Sequence, residues 1–204
     1  MGLTVEIVDP DGAGVERCAD LLRRGKVLGL PTDTVYGLAA RAADERAVRR
    51  VYAIKGRSLS APLVLMVAEP AQVATVAEVG EREREFMRRF WPGALTLVLR
   101  AGAHLRPPLV TGEPRTVGVR IPDHALALTL LRAVGEPLAT TSANRSGLPP
   151  ALWPLDVAWL SGVAAILDGG GAPGGVPSTL LDLSGEEPRI LRPGPLTAQD
   201  LFDG

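Results

Sequence analysis

Four stretches of this sequence place hydroxyls and cations where short apolar strands would be expected to turn. Residues 30–38 read LPTDTVYGL, so Thr32, Asp33 and Thr34 follow an apolar run. That is where open α/β sheets bind ligands, although the same triplet would also serve as a helix cap. Lys55-Gly56-Arg57 closes a helical pattern. Two cations there complement the helix dipole, and they also suit phosphate groups, which Gly56 would allow close to the backbone. In residues 116–121, Val117, Val119 and Ile121 share one strand face, while Thr116, Gly118 and Arg120 share the other. Arg120 then stands beside a residue with no side chain, which makes either a floor for an anionic group or a solvated edge strand. Residues 140–147 read TTSANRSG, and such a turn either points backbone N–H groups at an anion or is a plain polar loop. Ser178-Thr179 and Arg192-Pro193-Gly194 extend the set. The whole is rich in hydroxyls and arginines, with no evident nucleophile or general base. Phosphoryl or nucleotidyl transfer fits it, because that chemistry needs positioning and charge neutralisation more than proton abstraction.

The elements that must hold these residues are short. Gly and Pro together number 41 of 204 residues. Strand patterns fall at 3–8, 26–30, 63–67, 95–100, 117–121, 137–141, 164–167, 179–183 and 189–191. Helical patterns fall at 14–24, 44–54 with Asp44 as cap, 70–79, 81–90, 124–134, 155–160 and 198–202. Helices and strands alternate at first, and strands follow one another directly near the end. The expected fold class is α/β (α+β), with a mixed sheet and helices packed on it, as a single domain over 1–204.

Bulk composition removes several classes. There are 22 Lys+Arg against 23 Asp+Glu, which excludes a strongly basic nucleic-acid binder as a description of the whole chain. Cys18 is the one cysteine, so no internal disulfide or multi-cysteine metal site is expected. His104 and His124 are far apart, which argues against a zinc enzyme, and no metal ligand is expected from protein side chains. No apolar run reaches membrane-spanning length and the N-terminus carries no secretory pattern, so the expectation is a cytoplasmic protein with no membrane partner. Residues 169–174 match a GxGxxG spacing, but a strand rather than a helix follows, so the dinucleotide reading is rejected. The segment is then either a mobile loop or a lid over a ligand. Only Lys26 and Lys55 are lysines, against twenty arginines. A lysine kept in a ligand-facing stretch of so arginine-biased a chain is expected to be needed as a lysine.

Taken in order, PTDTVYGL, KGR, WPGALTLVL, VGVRIPDH, TSANRSG, PST and LRPG resemble the YrdC-type (TsaC-like) threonylcarbamoyl-AMP synthases over residues 21–196. The resemblance implies a twisted open YrdC/RibB-like sheet around a basic cavity. It implies synthesis of L-threonylcarbamoyl-AMP from L-threonine, bicarbonate and ATP, with pyrophosphate released and Mg2+ arriving on the nucleotide. The product would feed a downstream threonylcarbamoyl transferase that modifies tRNA. Carried over by position, Thr34, Arg120, Thr140 and Ser178 would hold threonine. Lys55, Arg57, Thr116, Ser142, Asn144 and Arg192 would hold ATP, with Lys55 and Arg57 stabilising developing phosphate charge. The chain departs from the family pattern at Ser58, Ala61, Met66 and Pro150, which bears on two ATP contacts and one threonine contact. Ending soon after LRPG, it resembles the family's short branch. Two alternatives stand beside this reading. One is a paralogue with another substrate. The other is a module that binds double-stranded RNA or assists ribosome assembly, its face supplied by the eight arginines of residues 88–145.

Overall fold

The computed structural model describes residues 5–103, 105, 110–112 and 115–203. The start of the first expected strand, together with His104, Arg106 and Glu113, lies outside the described residues.

Among the described residues, seventeen short elements follow in chain order. β1 (Glu6–Val8) leads to α1 (Gly12–Arg23), which Asp11 caps by accepting from Gly14 N. β2 (Leu28–Leu30) and β3 (Gly37–Arg41) come next, then α2 (Glu45–Lys55), capped by Asp44 as expected and closed by Gly56 at φ 64°. β4 (Val64–Met66), a 3-10 helix (Pro70–Thr75), α3 (Glu81–Phe90), β5 (Leu95–Arg100) and β6 (Thr116–Arg120) follow. The second half holds α4 (Ala125–Val134), β7 (Leu138–Ser142), α5 (Pro154–Ala158), β8 (Ala165–Leu167), β9 (Thr179–Asp182), β10 (Arg189–Arg192) and α6 (Ala198–Phe202).

The ten strands found among the described residues form one sheet in the order β1-β8-β2-β3-β7-β4-β6-β5-β9-β10. It is mixed, as the order of elements predicted. β8 pairs parallel with β1 and β2, β4 with β6, and β5 with β9; the other pairings are antiparallel. One face carries α1 and α4, whose Cys18, Leu22, Leu130 and Leu131 pack with Leu28, Leu30 and Leu138. The opposite face carries the larger core, in which Val48, Val51 and Tyr52 of α2 meet Leu38, Leu65 and Leu97.

Two expectations need correction. Residues 37–41 form β3, which the polar run just before them obscured. Its alternation is also hidden, because Leu38, Ala39 and Ala40 are buried on both faces of a central strand. The helix expected over 70–79 is only a 3-10 segment. It ends at Thr75, after which Ala77 makes an isolated bridge to Ala101.

The ends of β9 and β10 are held by close backbone contact. Gly194 lies so near the start of β9 that a Cβ there would come 2.3 Å from Thr179 N and 2.6 Å from Ser178 C. We predict that Gly194→Ala destabilises the fold by about 1–3 kcal/mol, because backbone must move to admit the methyl group. Chemical denaturation checks this, and an unchanged midpoint would contradict it.

Candidate functional site

A cleft of about 720 Å3, counting its open mouth, lies over the middle of the sheet. Its walls come from β7, β4, β6, β5 and β9, which are consecutive in the sheet, together with β10 and the 32–37 segment. Thr34, Arg57, Arg120, Thr140, Ser142, Ser178 and Arg192 all line it. Residues far apart in sequence therefore meet here because strand ends from both halves of the chain open on one face.

Arg120 is the buried centre, with 3% of its surface exposed. Its Nε donates to Gly93 O at 2.9 Å, Nη1 to Thr34 Oγ1 at 2.9 Å, and Nη2 to Asp33 Oδ1 at 2.7 Å. Burial lowers its proton affinity, and Asp33 opposes that effect. The sequence leaves Asp33 either in a ligand-facing turn or as a helix cap. No helix follows it, and its carboxylate is the counter-ion of Arg120. Thr32 shapes the turn: its hydroxyl accepts from Thr34 N and Val35 N and donates to Val35 O at 2.6 Å.

The other arginines have no such partner. Among the described residues, the Arg192 side chain donates only to Ser178: Nη2 and Nε to its carbonyl at 2.9 and 3.3 Å, and Nη2 more weakly to its hydroxyl at 3.4 Å. Burial, then the nearby charges of Arg57 and Arg120, lower its proton affinity. Arg57 donates to Thr141 Oγ1 at 3.4 Å and Pro62 O at 3.2 Å, and its Nε is buried with no hydrogen-bond partner. Among the described residues, Asp33 is the one carboxylate that forms an ion pair with any of these cations. Three guanidiniums thus converge on one cavity with a single negative charge between them, an arrangement that an anionic ligand relieves.

Lys55, Asn144 and Thr116 do not line the cavity. Lys55 is buried behind it, and its Nζ donates to Ser142 O at 2.7 Å, Ser142 Oγ at 3.1 Å and Asn144 Oδ1 at 2.6 Å. Asn144 donates onward to Arg145 O and Leu148 O. Together they build the 142–148 turn from within. A guanidinium is too wide for that compact set of acceptors, which accounts for a lysine in an arginine-biased chain. Thr116 stands further along β6, on the strand face that carries Arg120.

The glycine-rich segment is pinned. Tyr36 Oη donates to Gly170 O at 2.8 Å and accepts from Gly169 N at 3.0 Å, while Gly175 N donates to Thr34 O at 3.0 Å. A Cβ at Gly174 would come 2.9 Å from Thr34 Cα, so this segment can lie against the site only as glycine. Among the described residues no cluster of three or more His, Cys, Asp or Glu side chains is placed to hold a metal, and no helix is long and apolar enough to cross a membrane.

The Sua5/YciO/YrdC family model, described as "Telomere recombination", matches residues 20–194. This chain belongs to that family. It is 42% identical over 190 residues to a threonylcarbamoyl-AMP synthase of Bacillus subtilis, covering 92% of this chain and 55% of that protein. Its fold superposes on Sua5 of Pyrococcus abyssi, solved in complex with L-threonine, with TM-score 0.92 at 38% identity, over 98% of this chain and 60% of that one. YciO of Escherichia coli matches with TM-score 0.86 at 26% identity, over 97% of this chain and 98% of that one. The chain spans about half the length of the first curated relatives it matches. Family membership confirms the YrdC-like fold inferred from the seven ordered motifs.

Buried among cations, Lys55 loses its proton easily. Burial first, then Arg57 and Arg192, bring its pKa down to about 8 from 10.5. Between those two values the unfolded chain binds more protons than the folded one, so this group makes stability rise with pH across that window. We predict that the unfolding free energy of the native protein rises relative to that of Lys55→Met from pH 8 to pH 10. Denaturant titrations on both proteins measure it, and a difference that stays flat or falls would contradict the placement.

Proposed function

We propose that this chain makes L-threonylcarbamoyl-AMP from L-threonine, bicarbonate and ATP, releasing pyrophosphate. The observation that carries the reading is the convergence of Arg57, Arg120 and Arg192 on one hydroxyl-lined cavity with Asp33 as their sole paired carboxylate. The names of the relatives, and the bound L-threonine of the Pyrococcus abyssi protein, support the substrate class.

In this proposal Arg120, Thr34, Thr140 and Ser178 receive threonine, with the Arg120 guanidinium on its carboxylate. Once the threonine amine carries the carboxyl group from bicarbonate, a carbamate oxygen attacks the α-phosphorus of ATP and pyrophosphate leaves. Arg57 and Arg192 neutralise charge that grows on the phosphate oxygens during the displacement. Ser142 meets the nucleotide at the same end. Lys55 and Asn144 act by fixing the turn that carries Ser142, and Lys55 adds its charge from behind. Thr116 is assigned to the nucleotide end as well. Mg2+ enters with ATP as part of the substrate. The loose transition state of phosphoryl transfer needs this positioning and charge more than it needs a protein base. The product would pass to a transferase acting on tRNA. Residues 1–204 are proposed to work as one domain in the cytoplasm. Met66 on the cavity wall and the exposed loop holding Ala61 are consistent with a substrate preference tuned by apolar contact. Nothing among the described residues favours the duplex-RNA reading.

Pyrophosphate release should require L-threonine, bicarbonate and ATP together. Arg57→Ala should lower kcat/KM about a hundredfold or more, because one transition-state donor is lost. A coupled pyrophosphate assay measures both. Release that ignores threonine, or an Arg57→Ala variant of near-native activity, would overturn the proposal.

A further inference from the structure

Thr96 sits on β5 between the core residues Leu95 and Leu97 and is fully buried, yet it borders the cavity. A valine would fill the same space on a strand with equal propensity and with no polar atom to desolvate. The hydroxyl is therefore a cost that packing does not require. It makes one hydrogen bond among the described residues, at 2.7 Å to Ser178 Oγ. β5 and β9 run parallel here, Thr96 opposite Leu180 and Leu95 opposite Thr179, which sets Ser178 at the entry to β9 within reach.

Either hydroxyl could donate in that bond, and a count of protons and lone pairs favours Thr96 as the donor. A hydroxyl has one proton and two lone pairs. The Thr96 proton has Ser178 Oγ as its acceptor, and leaving it unused would strand a donor at a fully buried position. Arg192 Nη2 also donates to Ser178 Oγ, at 3.4 Å. Two donors occupy both lone pairs of Ser178, so its own proton turns outward into the cavity that Ser178 lines. Ser178 in this arrangement is disposed to donate, and a ligand oxygen with a free lone pair satisfies it.

We propose that Thr96 is a positioning residue that locks the Ser178 hydroxyl as a donor to an oxyanion of the ligand. Resting on the amino-acid reading of the cavity given above, the oxyanion belongs to the threonine substrate, as its carboxylate or as the carbamate formed on its amine. Arg192 completes the triad by filling the second lone pair. Thr96 itself touches no reacting atom.

Calorimetric titration with L-threonine, and separately with inorganic phosphate as a plain oxyanion, tests this on the full chain. Thr96→Val should weaken L-threonine binding about tenfold, and Thr96→Ser should return it to within about threefold. Thr96→Ala, which only removes atoms, carries the same expectation as valine should the valine variant fail to fold. The double variant Thr96→Val/Ser178→Ala should bind no more weakly than Ser178→Ala alone, because both changes remove one interaction. Native-like binding by Thr96→Val to both probes would overturn the proposal. So would Thr96→Ser being as weak as Thr96→Val, since the methyl group would then be what matters, or effects at 96 and 178 that add. If the native protein binds phosphate but not threonine, the amino-acid reading fails, while the phosphate series still decides the role of Thr96. If it binds neither, the outward proton has no oxyanion to serve and the proposal falls.

Discussion

A guanidinium carried at the end of β6 and buried in the cleft over the sheet is the constraint around which the site is built. Arg120 has given up nearly all its water, so each side of its planar fork must find a protein partner. Those partners come from distant parts of the chain: Asp33 and Thr34 before β3, and Gly93 before β5. Satisfying one arginine thus ties the first half of the sheet to the middle strands. It also places Asp33 as a fixed counter-charge at a position where only one is supplied. Of the remaining cations, Lys55 and Arg192 have their proton affinity lowered by burial first and then by the positive charges around them. A cavity held in that condition is organised for an anion before one arrives, and preorganised charge of this kind lowers barriers most effectively in a water-poor site.

Backbone proximity does the rest of the assembly. At Gly174, against Thr34 and Asp33, and at Gly194, against residues 177–179, the backbone approaches the site so closely that a side chain would not fit. Tyr36 joins three of these parts. Its hydroxyl holds Gly169 and Gly170, its carbonyl accepts from Ala143 N, and its N–H donates to Ala151 O. Burial raises the pKa of this tyrosine, the Gly169 N–H offsetting part of the effect, so the hydroxyl keeps the proton that it donates. His124 works in a similar neutral state. Burial lowers its pKa, which leaves Nδ1 free to accept from Ala127 N at the start of α4.

Much of this was legible in the sequence because the signals were local. A cap residue marked α2, helical periodicity marked α1, period-two alternation marked β6, and the ordered motifs marked the family. What was less legible involved residues whose partners are distant. Asp33 looked like a cap because nothing nearby announces Arg120, 87 residues later. Lys55 is placed beside phosphate by its neighbour Arg57, while the acceptors that hold it, Ser142 and Asn144, lie 87 and 89 positions away. Thr96 looked like an ordinary strand residue, since the hydroxyl it meets is 82 positions away.

The sequence by itself determined most of the elements, that the sheet is mixed, and which polar stretches to examine for a site, because propensity, capping and side-chain alternation act over a few residues. Tertiary structure alone decided which of those groups face the cavity and which stand behind it. Pairing order brings β7, β4, β6, β5 and β9 together, and burial then turns each polar group toward the only partner it can reach.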